Sequence, residues 1–337
     1  MKANTESYDK KAFNDFLDSV TSNEKSNIEI VRYNDTYKNK WDQFVDNAKN
    51  GYFIFKRDYM DYHSDRFEDF SLMFFNGKKI MAVLPANIES KNIISHGGLT
   101  FGGIISNNKM DTAKMIEIFG ALKRFLKEIK IEKLIYKSIH HIFHNYPAQE
   151  DLYALFINNA TLIRRDIASC IFRDGKLKFS RLKKRNIKQC KSKGLKIERS
   201  FDFKKYMQIK ELDLIKKYGI KPVHTGDEIS LLASKFPKNI KLFVVKKEDE
   251  IIAGAIIYET QNVAHAQYLA SNDEGKKMVA SDLLFDYLIN EYYKDKKYFD
   301  FGISTENNGL YLNRGLINYK ERFGARGIVH DFYELKI

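Results

Sequence analysis

The stretch KLFVVKKEDEIIAGAIIYETQNVAHAQYLAS, Lys241 to Ser271, decides the fold. An apolar-rich run ends at Lys247, the polar turn Glu248-Asp249-Glu250 follows, and a second run extends from Ile251 to Glu259. Two such runs across a short turn predict a β-hairpin, and NVAHAQYLA from Asn262 adds a third strand. Roughly 170 residues earlier, an offset expected of duplicated domains, the same order occurs. DFSLMFF (Asp69 to Phe75) passes through Asn76-Gly77-Lys78-Lys79 into IMAVLPANIE from Ile80, and NIISHGGLTFGGII starts at Asn92.

The parallel continues outward. Met115, Phe119, Leu122, Leu126 and Ile129 recur at helical spacing in the first half, as do Leu284, Tyr287, Leu288 and Tyr292 in the second. Each helix runs into a short strand, KLIYKSI (Lys133 to Ile139) or YFDFGIS (Tyr298 to Ser304), then a further helix and a long strand. EDLYALFINNA and LIRRDIASCIF close the first half; GLYLNRGLINYKERFGA and IVHDFYELKI close the second. The expected fold class is α/β with mixed sheets, arranged as two tandem domains, residues 30–175 and 176–337, behind a partly helical extension over 1–29. The basic segment KLKFSRLKKRNIKQCKSKG, Lys176 to Gly194, is expected to open the second domain as a helix that Gly194 ends.

The chain has 337 residues, 44% of them hydrophobic and only 4 Pro, ample for packed cores and unlike a disordered chain. Cys170 and Cys190 fit neither a zinc site nor a disulfide framework, and no metal is expected. The polar start MKANTESYDKKAF lacks the apolar run of a signal peptide, and no run is long enough for a membrane span, so a cytoplasmic location is expected. A net charge of +13 suits an anionic partner: a phosphorylated cofactor, a nucleotide-linked substrate, RNA or an anionic membrane surface.

Several segments carry a family resemblance that covers nearly everything from Trp41 onward: SRLKKRNIKQCKSKG, YFDFGIS and LINYKERFGARG, and, in this order, RDYMDYHSDRF, SHGGLTFGG, AHAQYLAS and FDFGISTENNG. The chain resembles GNAT-like acyltransferases related to the Fem peptidyl transferases, with relatives among bacterial surface-polysaccharide genes. The resemblance implies two GNAT-like domains and N-acyl transfer from acetyl-CoA or another acyl-CoA to an amino sugar or nucleotide-linked sugar. It implies as alternatives a Fem-like aminoacyl-tRNA donor or a non-catalytic ligand-binding protein. The long helical hairpin common in Fem enzymes has no counterpart here. The oligomeric state is not expressed in the sequence.

Acyl transfer to an amine requires a held donor, a polarised carbonyl and a base for the amine proton. The loop Ser271, Asn272, Asp273, Glu274, Gly275, Lys276, Lys277, between a strand and a helix, is where a donor phosphate would lie in a GNAT-like fold; Ser271, Asn272, Gly275, Lys276 and Lys277 are the candidate contacts, although Asp273 and Glu274 oppose an anion. Strict alternation places His265, Gln267 and Leu269 on one strand face and Tyr268 on the other. His265 is a candidate base, Tyr268 a further catalytic candidate and Gln267 an acceptor contact. Asp300, in an apolar strand, must be hydrogen-bonded and is expected to support the site. The resemblance places Lys320 at a substrate channel, where its ammonium would stabilise an oxyanion. Tyr59, Tyr62, His63 and Arg66 fall at helical spacing, and Gly97, Gly98, Gly102 and Gly103 crowd one stretch. His63, Arg66, His96, Gly97 and Gly98 are therefore the expected acceptor contacts, with Ser304, Glu306 and Asn313 added after the YFDFGIS strand.

Overall fold

A computed structural model describes residues 27–337. The helical part expected in the N-terminal extension lies outside the described residues, and Ile28 already opens the first strand. The first half contributes β1 (Ile28–Arg32), α1 (Lys38–Asp46), α2 (Arg57–Met60), β2 (Leu72–Asn76), β3 (Lys79–Leu84), β4 (Asn87–Glu89), β5 (Asn92–Ile94), β6 (Ile105–Ser106), α3 (Thr112–Glu128), β7 (Lys133–Lys137), α4 (Glu150–Ile157) and β8 (Thr161–Phe172). The second contributes α5 (Arg181–Lys191), β9 (Lys196–Ser200), α6 (Phe203–Tyr218), α7 (Gly226–Lys235), β10 (Ile240–Lys247), β11 (Glu250–Glu259), β12 (Val263–Ser271), α8 (Asp273–Lys277), α9 (Ala280–Tyr287), β13 (Tyr298–Ile303), β14 (Thr305–Glu306), β15 (Tyr311–Leu312), α10 (Arg314–Glu321) and β16 (Arg326–Lys336).

Both hairpins form. β10 and β11 pair antiparallel from Ile240↔Tyr258 to Lys247↔Glu250, and β2 and β3 from Leu72↔Leu84 to Asn76↔Lys79. Gly77 turns the first at φ +56°, a conformation that suits glycine. Pro85 cannot donate to a ladder, and the expected strand from Ile80 divides there into β3 and β4. Four strands form a sheet in the order β1-β2-β3-β6; ten form a second, in the order β4-β5-β7-β16-β8-β13-β12-β11-β10-β9.

The large sheet takes strands from both halves because the two long closing strands are exchanged. β8 pairs with β13 of the second half, and β16 pairs with β7 of the first, while β8 and β16 run antiparallel down the middle. The last strand thus lies among first-half strands, across the expected boundary at 175/176.

Three local expectations change. The stretch from Asn92 is a strand only to Ile94, after which the glycine-rich residues form a loop. Leu288–Tyr292 forms a π-helical turn that shifts the periodicity after α9, so Tyr293 is buried and Tyr292 is 39% exposed. Ile129 caps α3 and is exposed rather than continuing its buried face.

A core cluster joins the halves. Trp41, Tyr52, Phe53, Tyr59, Phe101 and Phe143 pack with Phe203, Tyr206, Phe236, Val244, Tyr258 and Tyr268. Full burial of one such aromatic contributes about 1.5–3 kcal/mol. The face of β12 that meets this cluster carries the candidate site.

Candidate active site

β12 and β13 run parallel for three residues, Val263↔Tyr298 to His265↔Asp300, and then separate. The residues on either side of that opening are joined by side chains. His265 Nδ1 donates to Asp300 Oδ2 at 2.7 Å, and the Gly302 N–H donates to Asp300 Oδ1 at 3.0 Å. Burial pushes the Asp300 carboxyl up, but the His265 hydrogen bond and charge, with His330 and the Gly302 N–H, hold it below its ordinary value. The expectation that a buried Asp300 must be paired is met.

His265 Nε2 lies 3.0 Å from Gln267 Oε1. With its oxygen forward the amide accepts from an imidazolium; turned over, it donates to a neutral ring. Gln267 can therefore follow either protonation state of His265.

The alternation expected along β12 fails at Gln267. Ile256 pairs with Tyr268 but Ile257 with Ala266, leaving Gln267 as the extra residue of a β-bulge. Beyond a bulge the faces switch. Tyr268 consequently shares the core cluster of Val263, while Ala264, Ala266 and Leu269 meet the other cluster. Tyr268 and His265 face the same side, and Leu269 faces away from His265, opposite to the simple two-residue reading.

Lys320, on α10, is 5% exposed. Its Nζ donates to the carbonyls of Gly302 at 2.9 Å and Ile303 at 2.6 Å, where β13 leaves the sheet. An ammonium has three N–H groups, so one remains for a ligand. Burial brings Lys320 down to about 8, opposed by the Asp300 charge. Gly302, at φ +70°, lets this turn form; a Cβ there would come 3.4 Å from His265 Cε1. Lysine, histidine, carboxylate and glycine thus meet at the start of the opening.

Tyr268 leads to a second group that the sequence reading missed. Its hydroxyl donates to His224 Nδ1 at 2.5 Å and accepts the His224 backbone N–H at 3.3 Å. The His224 ring stacks on Tyr62, Tyr62 on His63 and His63 on His96, with centroids 5.6, 4.4 and 5.1 Å apart. This column links the second half to the expected acceptor residues of the first. Burial lowers all three imidazoles, His224 to about 4. His224 stands just before Thr225, whose side chain and Glu228 form a capping box at the start of α7. That motif locates the residue in sequence but does not disclose its tyrosine partner.

Most of the other expected acceptor residues have structural partners. Arg66 Nη2 donates to Glu228 Oε1 at 2.6 Å, across the halves. The Gly97 N–H donates to Asn87 Oδ1, and a Cβ on Gly98 would lie 2.4 Å from His63 Nε2. Asn313 caps α10 and donates from Nδ2 to Glu306 at 2.8 Å. Ser304 is buried with its hydroxyl unpartnered.

In the loop after β12, Gly275 packs so closely that a Cβ would meet the Ile252 carbonyl oxygen at 2.0 Å. The Gly275 N–H goes to Asn272 Oδ1, and Lys276 N–H to the Asn272 carbonyl. Lys276 pairs with Asp213 at 2.7 Å, Ser271 Oγ lies 2.7 Å from Ser281 Oγ, and Lys277 is exposed. Val279 precedes α9 at φ +56° with no side-chain cap. A β-branched residue in that region is strained, and it leaves the first amides of α9 without a capping side chain. Among the described residues no cluster of three or more metal-ligating side chains forms, and no helix is long and apolar enough to cross a membrane.

Residues 184–321 match the acetyltransferase (GNAT) domain family. No curated protein matches the chain. Among solved structures, FemX is similar with a TM-score of 0.63 at 11% identity, over 92% of this chain and 97% of its own. L-PGS from Bacillus licheniformis has a TM-score of 0.53 at 12% identity, over 75% and 80%. A tandem GNAT protein from the clavulanic acid biosynthesis pathway has a TM-score of 0.50 at 9% identity, over 92% and 98%. At such identities the likeness is one of fold.

Proposed function

We propose that this chain, whose residues 184–321 match the GNAT domain family and whose fold is similar to that of FemX and of a tandem GNAT protein, moves an acetyl or other acyl group from a CoA thioester to an amine. The acceptor in this reading is an amino sugar or nucleotide-linked sugar of cell-envelope polysaccharide synthesis, and the protein works in the cytoplasm. The sugar and the pathway rest on the sequence resemblance. The observation that carries the chemistry is Lys320, a buried ammonium with two N–H groups fixed on the Gly302 and Ile303 carbonyls and a third unassigned, beside the His265–Asp300 pair.

In this reading the acyl group enters where β12 parts from β13, and its carbonyl oxygen takes the third N–H of Lys320. A charge fixed beforehand stabilises the oxyanion without reorganising at the moment of reaction. The acceptor amine displaces the Gln267 amide from His265 Nε2 and gives up its proton there. Asp300 orients the ring and balances the imidazolium. Tyr268, on the same face, supplies its hydroxyl proton to the departing thiolate, and the amine proton held on His265 returns to the tyrosinate through solvent, restoring both groups. We assign the donor to residues 176–337, with its phosphates at the start of α9 and at Ser271, Asn272, Gly275, Lys276 and Lys277. The acceptor goes to residues 30–175, around His63, Arg66, His96, Gly97 and Gly98, with Ser304, Glu306 and Asn313 at the junction.

One observation favours a second donor, an aminoacyl-tRNA. Asp273 and Glu274 occupy the first turn of α8, and two of the loop's amides are already bonded within it. α5 meanwhile exposes Lys184, Arg185, Lys188 and Lys191, which suit an RNA backbone. Calorimetric titration with acetyl-CoA, longer acyl-CoAs and aminoacyl-tRNA separates the two. Micromolar binding of a CoA thioester supports the first reading. Binding of tRNA alone, weakening steeply with salt, replaces it with the second.

A further inference from the structure

We propose that the outer face of α6 and the turn behind it, Leu212 to Val223, is a docking surface for an anionic lipid bilayer. α6 buries Phe203, Tyr206 and Met207 against the core that joins the halves. A surface helix with one face so committed is expected to be polar on the other. Here the C-terminal part of the exposed side carries apolar side chains as well, among its lysines. Leu212 is 69% exposed, Ile215 45% and Tyr218 53%, and the turn adds Ile220 at 57% and Val223 at 72%. On a helix, Leu212, Ile215 and Tyr218 fall within an arc of about 120°. A contiguous exposed apolar patch of this kind marks an interaction site.

The charges interleaved with it are basic. Between Leu212 and Val223 stand Lys216, Lys217 and Lys221 against Asp213, with Glu211 just before them. Asp213 is buried and already holds Lys217 and Lys276. The Lys216–Asp273 and Lys221–Glu211 pairs are largely exposed, and exposed pairs are weak enough to yield to lipid phosphates.

Charge and shape together select the occupant. A second copy would face this patch with itself across a two-fold axis, setting lysines against lysines. The patch is a helix end and a turn, with Gly219 at φ +69°, from which apolar side chains project outward. Projecting apolar groups between lysines match a bilayer interface, where the former enter the acyl boundary and the latter meet anionic headgroups. Val223 is followed by buried His224, the hydrogen-bond partner of Tyr268. Docking therefore brings the candidate site to the lipid surface. The surface stands independently of the donor and acceptor proposed above.

Co-sedimentation of the full chain with vesicles tests this, using phosphatidylcholine alone and with about one third phosphatidylglycerol. The wild type is expected to pellet with the anionic vesicles only. The triple variant Leu212→Ser/Ile220→Ser/Val223→Ser should bind about tenfold or more weakly, with an unchanged melting curve because all three side chains are exposed. Lys184→Glu/Lys188→Glu changes the net charge on another helix, α5, and should retain binding. Failure of the wild type to pellet overturns the proposal. So does equal binding by the triple variant, or loss of binding only in the α5 variant. Self-association abolished by the triple variant would assign the patch to a second copy instead.

Discussion

The two halves open the sheet in the same way and fill the opening differently. In each, a parallel pair holds for three residues and then parts: β5 from β7 after Ile94↔Ile135, and β12 from β13 after His265↔Asp300. In the first half the chain plugs its own gap. The residues after β5 turn back as a glycine-rich loop. Lys137 donates from Nζ to the His96 carbonyl at 3.0 Å and to that of Leu99, while its backbone bonds Ser95 and Gly102. Tyr136 accepts the Ile104 N–H and donates to Asp151 Oδ2 at 2.6 Å. In the second half β12 continues as a strand past the parting, and the side chains at its root are His265, Asp300 and Lys320. Each half places a buried lysine on two main-chain carbonyls. One closes a loop; the other stands beside a histidine and a carboxylate. The same architectural opening thus serves packing in one copy and suits chemistry in the other.

Replacing the two lysines should break this symmetry. Lys320→Ala is expected to lower turnover about a hundredfold or more, with donor affinity nearly unchanged, because the lost interaction belongs to the transition state. Lys320→Arg should recover little, since a planar fork does not reproduce a compact ammonium on two carbonyls. Steady-state rates with calorimetric donor affinities check both. The wild-type rate should also fall as pH rises through about 8, where buried Lys320 loses its proton.

Lys137→Met should act on folding instead. It strands the His96 and Leu99 carbonyls at a cost of about 1–3 kcal/mol, leaving donor affinity unchanged, as urea unfolding and titration would show. The pH dependence sharpens the contrast. Burial, aided by the Arg164 charge, brings Lys137 down to about 7 from an ordinary 10.5. Between those values the unfolded chain binds a proton that the folded chain does not, so stability rises with pH. Urea midpoints measured from pH 7 to 10 should rise less in Lys137→Met than in the wild type.

The smallest effect belongs to the ring column. Burial lowers His224 to about 4, so the unfolded chain binds the extra proton between about 6.5 and 4. Stability is lost as pH falls through that window. His224→Gln should lessen the loss, as measured by urea midpoints at pH 5 and 7.

The hairpins, α3 and the basic helix α5 were legible because their signals are local: apolar runs with turns between them, and apolar residues at helical spacing. The facing of Tyr268 was not. Alternation along β12 is interrupted by a bulge that depends on its register with β11, and nothing in AHAQYLAS announces it. The exchange of β8 and β16 was equally hidden, since a strand's sequence reports its faces but not its neighbours. Lys320 and His265 were singled out through residue type and family motif. Their meeting at Gly302 depends on a turn after β13 and on the approach of α10, which only the assembled fold provides. His224 lies 44 residues from Tyr268 in sequence, and that separation kept the pair from view.

The most direct test of the central claim is a crystal structure with a ketone analogue of acetyl-CoA, in which a methylene replaces the sulfur. The expected result is an acyl carbonyl oxygen between β12 and β13, within hydrogen-bond reach of Lys320 Nζ and on the side of His265. A carbonyl lodged in the first half's opening, or held in the second without contact to Lys320, would contradict it.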